Sequence, residues 1–137
     1  MSDSRYVLDS SAIFTLMEDE SGADRVAEVL DQGTVYVPFV VLMEVYYITF
    51  QEQGEDVADH RYALLKQQPI DIQWTVDEPT LLTAGRLKAT HAISFADAVI
   101  AAMASRLGAV LVHKDPEFDA LSEDVHLEAL PYKKSSY

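Results

Sequence analysis

Residues 94–115, SFADAVIAAMASRLGAVLVHKD, predict a helix followed at once by a buried strand. Apolar residues recur in its first part at the spacing of one helix face: Ala96, Val99, Ile100, Met103, Ala104 and Leu107. This spacing predicts a helix over residues 94–107. Gly108 ends the pattern, and the apolar residues 109–112 predict a buried strand. A helix that leads directly into a buried strand is typical of an alternating α/β chain.

The rest of the chain continues this alternation. Further strands are predicted at residues 5–8, 34–37, 70–74 and 125–127, and further helices at 12–17, 22–30, 38–53, 55–67, 78–90 and 116–121. Apolar and polar residues alternate in 70–74, which favours a strand at the edge of a sheet. The pattern predicts a three-layer α/β/α sandwich around a mostly parallel sheet of four or five strands.

Length and composition favour one globular domain over residues 1–137, because about half of the 137 residues are apolar. The absence of cysteine excludes disulfides and thiolate zinc sites. The start MSDSRYVLDSS lacks the layout of a secretory signal, and the longest apolar run, 35–43, is too short to cross a bilayer. We therefore expect a cytoplasmic protein without a membrane span.

The net charge of −13 argues against a nucleic-acid partner, since the long-range field repels phosphate. Salt screens this repulsion beyond about 10 Å, so a local basic patch or bound cations could still create a phosphate site. The acidity also fits solubility, an acid-tolerant surface or a saline cytoplasm, and composition favours none of these over the others.

Four acidic residues stand next to apolar sequence, whereas most of the 23 acids lie in polar surroundings. Glu44 interrupts VVLMEVYY, residues 40–47, where an isolated buried carboxylate would be costly. Asp97 lies beside the apolar face of the helix predicted at 94–107, and Asp9 and Asp115 each follow a predicted strand. Each has a structural alternative: an ion pair or surface position for Glu44, a helix cap for Asp97, and turns for Asp9 and Asp115.

Together these four acids favour a metal site, because parallel strands send their carboxyl ends to one edge of the sheet. Two ionised carboxylates about 5 Å apart repel by roughly 3 kcal/mol at an effective dielectric constant near 20. A helix cap contributes only about 1 kcal/mol. A hard divalent cation such as Mg²⁺ or Mn²⁺ would hold the acids together. Without a cation, their repulsion should raise some of the pKa values.

In order and spacing, these segments resemble the PIN-domain ribonucleases, in particular the VapC-like toxins of toxin–antitoxin pairs. The matching segments are VLDSSAI at 7–13, VVLMEVYY at 40–47, SFADAVIAAMA at 94–104 and VLVHKDPEF at 110–118. The resemblance implies an endoribonuclease that cuts RNA with one or two Mg²⁺ or Mn²⁺ ions. Its metal ligands and catalytic residues would be Asp9, Glu44, Asp97 and Asp115. It also implies a homodimer, and an antitoxin that inserts an arginine among these acids.

Further residues are candidates for contacts with the substrate. Ser10 and Ser11 match small hydroxyl positions beside the family's first acid, and they would orient that acid or contact phosphate. A helix N-cap is an equally good interpretation of either serine. Lys114, Lys133 and Lys134 are candidates for phosphate contacts, with a solvated surface position as the alternative for each.

His113 departs from the family, which usually has Thr or Ser two residues before the last acid. We expect it to fill space behind the strand, with a hydrogen bond to Asp115 or a substrate contact as alternatives. On the helix of Glu44, core packing is expected for at least two of Tyr46, Tyr47 and Phe50, and a dimer or antitoxin surface is the alternative.

Two other classes of function remain open at this point. A phospho-accepting signalling domain also gathers acids at the carboxyl edge of a sheet, but Asp9 is followed by two serines rather than a second acid, and Lys114 is followed at once by an acid. A non-catalytic PIN-like binding module is the other alternative, and the presence of all four acids argues against it.

Overall fold

The computed structural model describes residues 4–133, so Lys134 lies outside the described residues. In that range the strands are β1 Arg5–Leu8, β2 Thr34–Pro38, β3 Asp71–Gln73, β4 Val110–His113 and β5 Leu127–Ala129. The α-helices are α1 Ser10–Met17, α2 Ala23–Gln32, α3 Phe39–Gln53, α4 Glu55–Lys66, α5 Glu78–Thr90 and α6 Phe95–Leu107, and a 3₁₀-helix spans Pro116–Leu121. None of the described helices has both the length and the apolar character needed to cross a bilayer.

The strands form one sheet in the order β3-β2-β1-β4-β5, and every neighbouring pair is parallel. β1 lies at the centre, with Tyr6 opposite Val35 of β2 and Val7 opposite Leu111 of β4. The predicted α/β/α sandwich is confirmed, and so is the edge position of β3. The sheet was expected to be mostly parallel and is parallel throughout.

The stretch that predicted the fold forms the core as expected. In α6 every residue from Asp97 to Ala104 is buried, and Ile100 is fully buried. Gly108 ends the helix in the left-handed conformation at φ +62°, which glycine adopts without the cost that a β-carbon brings. The chain then enters β4, where Leu111 and Val112 are fully buried. Small alanines in α6 allow the helix to lie close to the sheet.

Several predicted boundaries differ from the observed ones by one or two residues, and two of these differences have a clear structural cause. Pro38, predicted as the first residue of a helix, is the last residue of β2, and its extended backbone at ψ 147° makes it the N-cap of α3. The last strand forms at Leu127–Ala129 instead of 125–127. The reason is that the Val125 N–H donates to the Leu121 carbonyl over 3.0 Å, so Val125 still belongs to the turn that follows the 3₁₀-helix.

The expectation that at least two of the α3 aromatic residues pack in the core was also wrong. Tyr47 is 42% exposed and Phe50 is 43% exposed. Tyr46 is half-buried, with its ring 6.1 Å from that of Tyr62 on α4 and its hydroxyl donating to Asp59 over 2.6 Å. The aromatic side chains lie outward because α3 turns its β-branched face, with Val41 and Val45, toward the core.

Replacing Ile100 by alanine should lower the free energy of unfolding by about 2–5 kcal/mol, because the substitution leaves a cavity in a closely packed core. Urea denaturation of the purified protein measures the change. Leu81→Ala is the matched control, since Leu81 on α5 is 58% exposed and its truncation should change stability by less than about 0.5 kcal/mol. Equal effects of the two substitutions would contradict the position of Ile100 in the core.

Candidate metal centre

The four predicted acids lie where neighbouring strands of the sheet end. Asp9 follows β1 directly, and Asp115 lies two residues beyond β4. Glu44 lies in the second turn of α3, which leaves β2, and Asp97 is the third residue of α6. Because β2, β1 and β4 are adjacent in the sheet, their connections share one edge, and the structure brings the four acids to this edge.

Asp9 is almost completely buried, and its carboxylate is held by two donors, the Ala12 N–H and the Ser11 hydroxyl. Its Oδ1 accepts the Ala12 N–H over 2.9 Å, so Asp9 is the N-cap of α1. Ser11 Oγ lies 2.7 and 2.8 Å from the two carboxylate oxygens of Asp9, and it also accepts the Lys114 N–H over 2.8 Å. The cap interpretation of Ser10 and Ser11 was therefore wrong, because Asp9 itself caps the helix and Ser11 orients its carboxylate.

Glu44 is half-buried and is connected to the first helix. The Ser10 hydroxyl donates to Glu44 Oε1 over 3.1 Å and joins the start of α1 to α3. The structural alternatives for Glu44 were an ion pair with Arg or Lys and a position at the surface. Among residues 4–133, no lysine or arginine forms a salt bridge with any of the four acids. Their negative charge is therefore not compensated within the described part of the chain.

The charge of Asp115 contributes to the raised pKa of each of the other three acids. Its carboxylate accepts the Glu117 N–H over 2.9 Å, and its own N–H donates to Nδ1 of His113 over 3.2 Å. One carboxylate oxygen from each of Asp97, Asp115 and Glu117 lies within 4.8 Å of the other two. Ser94 is the N-cap of α6, and its Oγ accepts the Asp97 N–H over 3.1 Å, which is the serine half of the predicted capping box.

The pKa values of three acids are raised, as the predicted repulsion requires, although burial is the largest cause. Burial raises the pKa of Asp9 to about 7 against the lowering effect of Ser11 and Ala12, and the charges of Asp97 and Asp115 add to the increase. Burial, followed by the charges of Asp115 and Glu44, raises the pKa of Asp97 to about 6. Burial also raises the pKa of Glu44, which the Ser10 hydrogen bond partly offsets.

Sequence reasoning missed Glu117 as a member of this cluster. It lies two residues after Asp115 in the segment DPE, and the tight 3₁₀-helix that begins at Pro116 brings it back toward Asp97. The sequence signal that could have identified Glu117 was its position only two residues after Asp115, which was already a candidate ligand. A surface turn was a sufficient explanation for Glu117 in the sequence, and only the conformation of the turn places it near α6.

The two described lysine candidates have partners other than phosphate. The ammonium group of Lys114 lies 3.3 Å from Glu20 and donates to the Ser21 carbonyl over 2.8 Å, with only 6% of its side chain exposed. Lys133 lies 3.2 Å from the same Glu20 and is 75% exposed. Both lysines border a cleft of about 490 Å³ that also contains Ser11 and Asp115.

The donor set at this edge fits a hard divalent cation. Every candidate ligand is a carboxylate oxygen, which is the donor that Mg²⁺ and Mn²⁺ prefer, and thiolate ligands are excluded because the chain has no cysteine. The carboxylates are close together, partly desolvated and not compensated by basic residues. A divalent cation would relieve each of these three costs.

The family model of the PIN domain matches residues 6–124, a range that contains all four acids. The chain therefore belongs to the PIN domain family. Among curated proteins, none matches this chain in sequence.

Solved structures with a similar fold include several of VapBC and VapC proteins. VapBC2 from Rickettsia felis, bound to a DNA fragment from its promoter, has 16% identity and a TM-score of 0.76, with 93% of this chain and 99% of that chain covered. VapBC-1 from nontypeable Haemophilus influenzae has 23% identity and a TM-score of 0.72, with 91% and 97% covered. VapC20 from Mycobacterium tuberculosis, a sarcin–ricin loop cleaving toxin, has 16% identity and a TM-score of 0.72, with 92% and 99% covered. These similarities confirm the expected VapC-like fold.

Raising the pH from about 4 to about 7 should destabilise the metal-free protein. An unfolded aspartate titrates near 3.8, whereas burial raises the pKa of Asp9 to about 7 in the folded chain. Between these values the folded state binds more protons, so the free energy of unfolding falls as the pH rises. Asp9→Asn should make this fall smaller, by on the order of 3 kcal/mol. Urea denaturation with chelator at several pH values measures how the free energy of unfolding changes with pH in the wild-type chain and in Asp9→Asn. The same dependence on pH in both proteins would contradict the raised pKa of Asp9.

Proposed function

We propose that this chain, as one domain, is a metal-dependent endoribonuclease that hydrolyses RNA phosphodiester bonds and is the toxin of a toxin–antitoxin pair. The observation that carries the proposal is the convergence of Asp9, Glu44, Asp97 and Asp115 at one edge of a PIN-domain sheet without basic partners among the described residues. Such a cluster costs folding free energy, and a bound cation explains why the chain contains it.

In the proposed site, these four acids are the metal ligands and the catalytic residues, and the ion is Mg²⁺ or Mn²⁺. When bound, the ion supplies positive charge at the reacting phosphate and lowers the pKa of a water molecule. Ser11 keeps the Asp9 carboxylate in one orientation, and Ser10 does the same for Glu44. The pKa values of Asp9 and Asp97 are raised in the metal-free chain, and a bound cation would lower both again, so that both side chains bind the ion as carboxylates. One of the four carboxylates would hold or deprotonate the attacking water molecule.

RNA would approach through the cleft beside Ser11 and Asp115. Lys114 and Lys133 would contact phosphate there only by leaving Glu20, since both ammonium groups lie against its carboxylate. The net charge of −13 gives the chain no long-range attraction for RNA. Binding would therefore depend on local contacts and on the cation itself.

The proposed protein partners are a cognate antitoxin and a second copy of the chain, in the cytoplasm. Structures with a similar fold include a toxin–antitoxin complex from Klebsiella pneumoniae and VapBC-5 from Mycobacterium tuberculosis, a member of the VapBC family of toxin–antitoxin systems. The acidic cluster would accept an arginine of the antitoxin, because the described residues leave its charge uncompensated. For the homodimer, the exposed side chains of Met43, Tyr47 and Trp74 offer an apolar surface beside α3.

The structure disfavours the phospho-accepting alternative at one specific point. That chemistry needs a lysine whose ammonium group faces the acidic site. Lys114 instead directs its ammonium group to Glu20 and Ser21, on the turn between α1 and α2.

Asp9→Asn and Asp97→Asn should each lower the rate of RNA cleavage by about 100-fold or more, because each removes a negative charge from the proposed ion site. Cleavage of single-stranded and structured RNA is measured with Mn²⁺, with Mg²⁺ and with chelator. Asp31→Asn is the matched control, since Asp31 is exposed near the end of α2, before β2 begins, and away from the carboxyl edge. Cleavage that persists with chelator, or in Asp9→Asn, would overturn the mechanism.

The product of a neighbouring gene should co-purify with this chain and inhibit its RNA cleavage. The inhibition should weaken when an arginine of the antitoxin is replaced by alanine, because that arginine would neutralise the acidic cluster. Size-exclusion chromatography of the mixture and a cleavage assay measure both effects. Separate elution of the two proteins would count against the toxin–antitoxin assignment.

A further inference from the structure

Two consecutive backbone N–H groups beyond β4 are bound by side chains. The pairing of β4 with β5 ends where the Leu130 N–H donates to the His113 carbonyl over 2.7 Å. After this point, the Lys114 N–H donates to Ser11 Oγ and the Asp115 N–H donates to Nδ1 of His113. The segment that carries Asp115 is therefore attached on one side to the start of α1 and on the other to an imidazole in the core.

The imidazole of His113 is neutral and has one defined tautomer. Its ring is fully buried, with its centroid 5.1 Å from that of Phe118 and 6.1 Å from that of Tyr132. Because Nδ1 accepts a hydrogen bond, the proton of the neutral ring is on Nε2.

Space filling alone does not account for a histidine at this position. Within residues 4–133, Nε2 of His113 has no hydrogen-bond partner, although it is buried. A buried N–H group without a partner costs free energy, whereas a phenylalanine would fill similar space without that cost. The gain that offsets this cost is the bond that Nδ1 accepts from the Asp115 N–H.

We propose that His113 is a positioning residue for the metal centre: its Nδ1 holds the backbone of Asp115 so that the Asp115 carboxylate stands beside Asp97. The carboxylate is held from its other side by the Glu117 N–H over 2.9 Å, so Asp115 is fixed both at its amide and at its side chain. The inference rests on the proposed function, in which Asp115 is a metal ligand. Partners that orient a ligand in this way typically change metal affinity by about 10–100-fold.

Two substitutions separate the acceptor from the volume of the ring. His113→Phe keeps an aromatic ring but has no acceptor, and His113→Asn is smaller but places a carbonyl oxygen near the position of Nδ1. The first readout is amide hydrogen exchange of Asp115 in the metal-free full-length chain. The second is the affinity for Mn²⁺, measured by electron paramagnetic resonance of the free ion.

In His113→Phe, exchange of the Asp115 amide should become at least about 10-fold faster and Mn²⁺ binding about 10-fold weaker. His113→Asn should recover most of both properties despite its smaller volume. Wild-type exchange and affinity in His113→Phe would overturn the proposal, and so would equal losses in both variants. If His113→Phe does not fold, His113→Gln takes its place in the comparison, because its oxygen lies one bond further from the backbone.

The failure of the proposed function would look different. A wild-type chain that binds no Mn²⁺, or that binds it and cuts no RNA, would contradict the nuclease proposal. The exchange rate of the Asp115 amide in the metal-free variants would still decide whether His113 positions Asp115, because that measurement requires neither metal nor RNA.

Discussion

Four carboxylates meet where β2, β1 and β4 end, and their burial and mutual repulsion create a cost that the rest of the fold has to offset. No lysine or arginine among the described residues compensates it, and burial raises the pKa of Asp9 to about 7. The surrounding core makes this arrangement possible, because β1, β4 and the buried face of α6 supply apolar packing that does not depend on the acids. The edge of the sheet is thus a region where stability is lower than the core would allow, and this is common at functional sites.

Residues 9–11, which are the N-cap and the first two residues of α1, join the elements that surround the acids. Asp9 caps α1, Ser10 reaches Glu44 on α3, and Ser11 binds both the Asp9 carboxylate and the backbone beyond β4. Three consecutive residues therefore connect the first helix, the third helix and the exit of the fourth strand. Since short polar side chains have few rotamers, such contacts fix the relative positions of the acids with little loss of conformational entropy.

The distribution of charge explains how an acidic chain can still serve the proposed function. Glu20 holds both lysines that border the cleft, so the described chain has little free positive charge beside the acids. In the proposed function, the divalent cation supplies the attraction for phosphate that the protein surface lacks. The same uncompensated charge suits a basic inhibitor, because opposite charges favour association of the two proteins. The cation and the antitoxin would then compete for the same negative charge.

The alternation of strands and helices, the parallel sheet with β3 at its edge, and the choice of Asp9, Glu44, Asp97 and Asp115 as site candidates could all be predicted from the sequence. These predictions follow from periodicity and from acids beside apolar runs, which are properties of neighbouring residues. The place of Glu117, the outward position of Tyr47 and Phe50, and the hydrogen bond between His113 and Asp115 became known from the folded chain alone. Contacts such as that of Ser11 with Lys114 join residues far apart in the chain. They depend on the order of strands in the sheet and on the conformation of single turns, and no local pattern of residues encodes either of these.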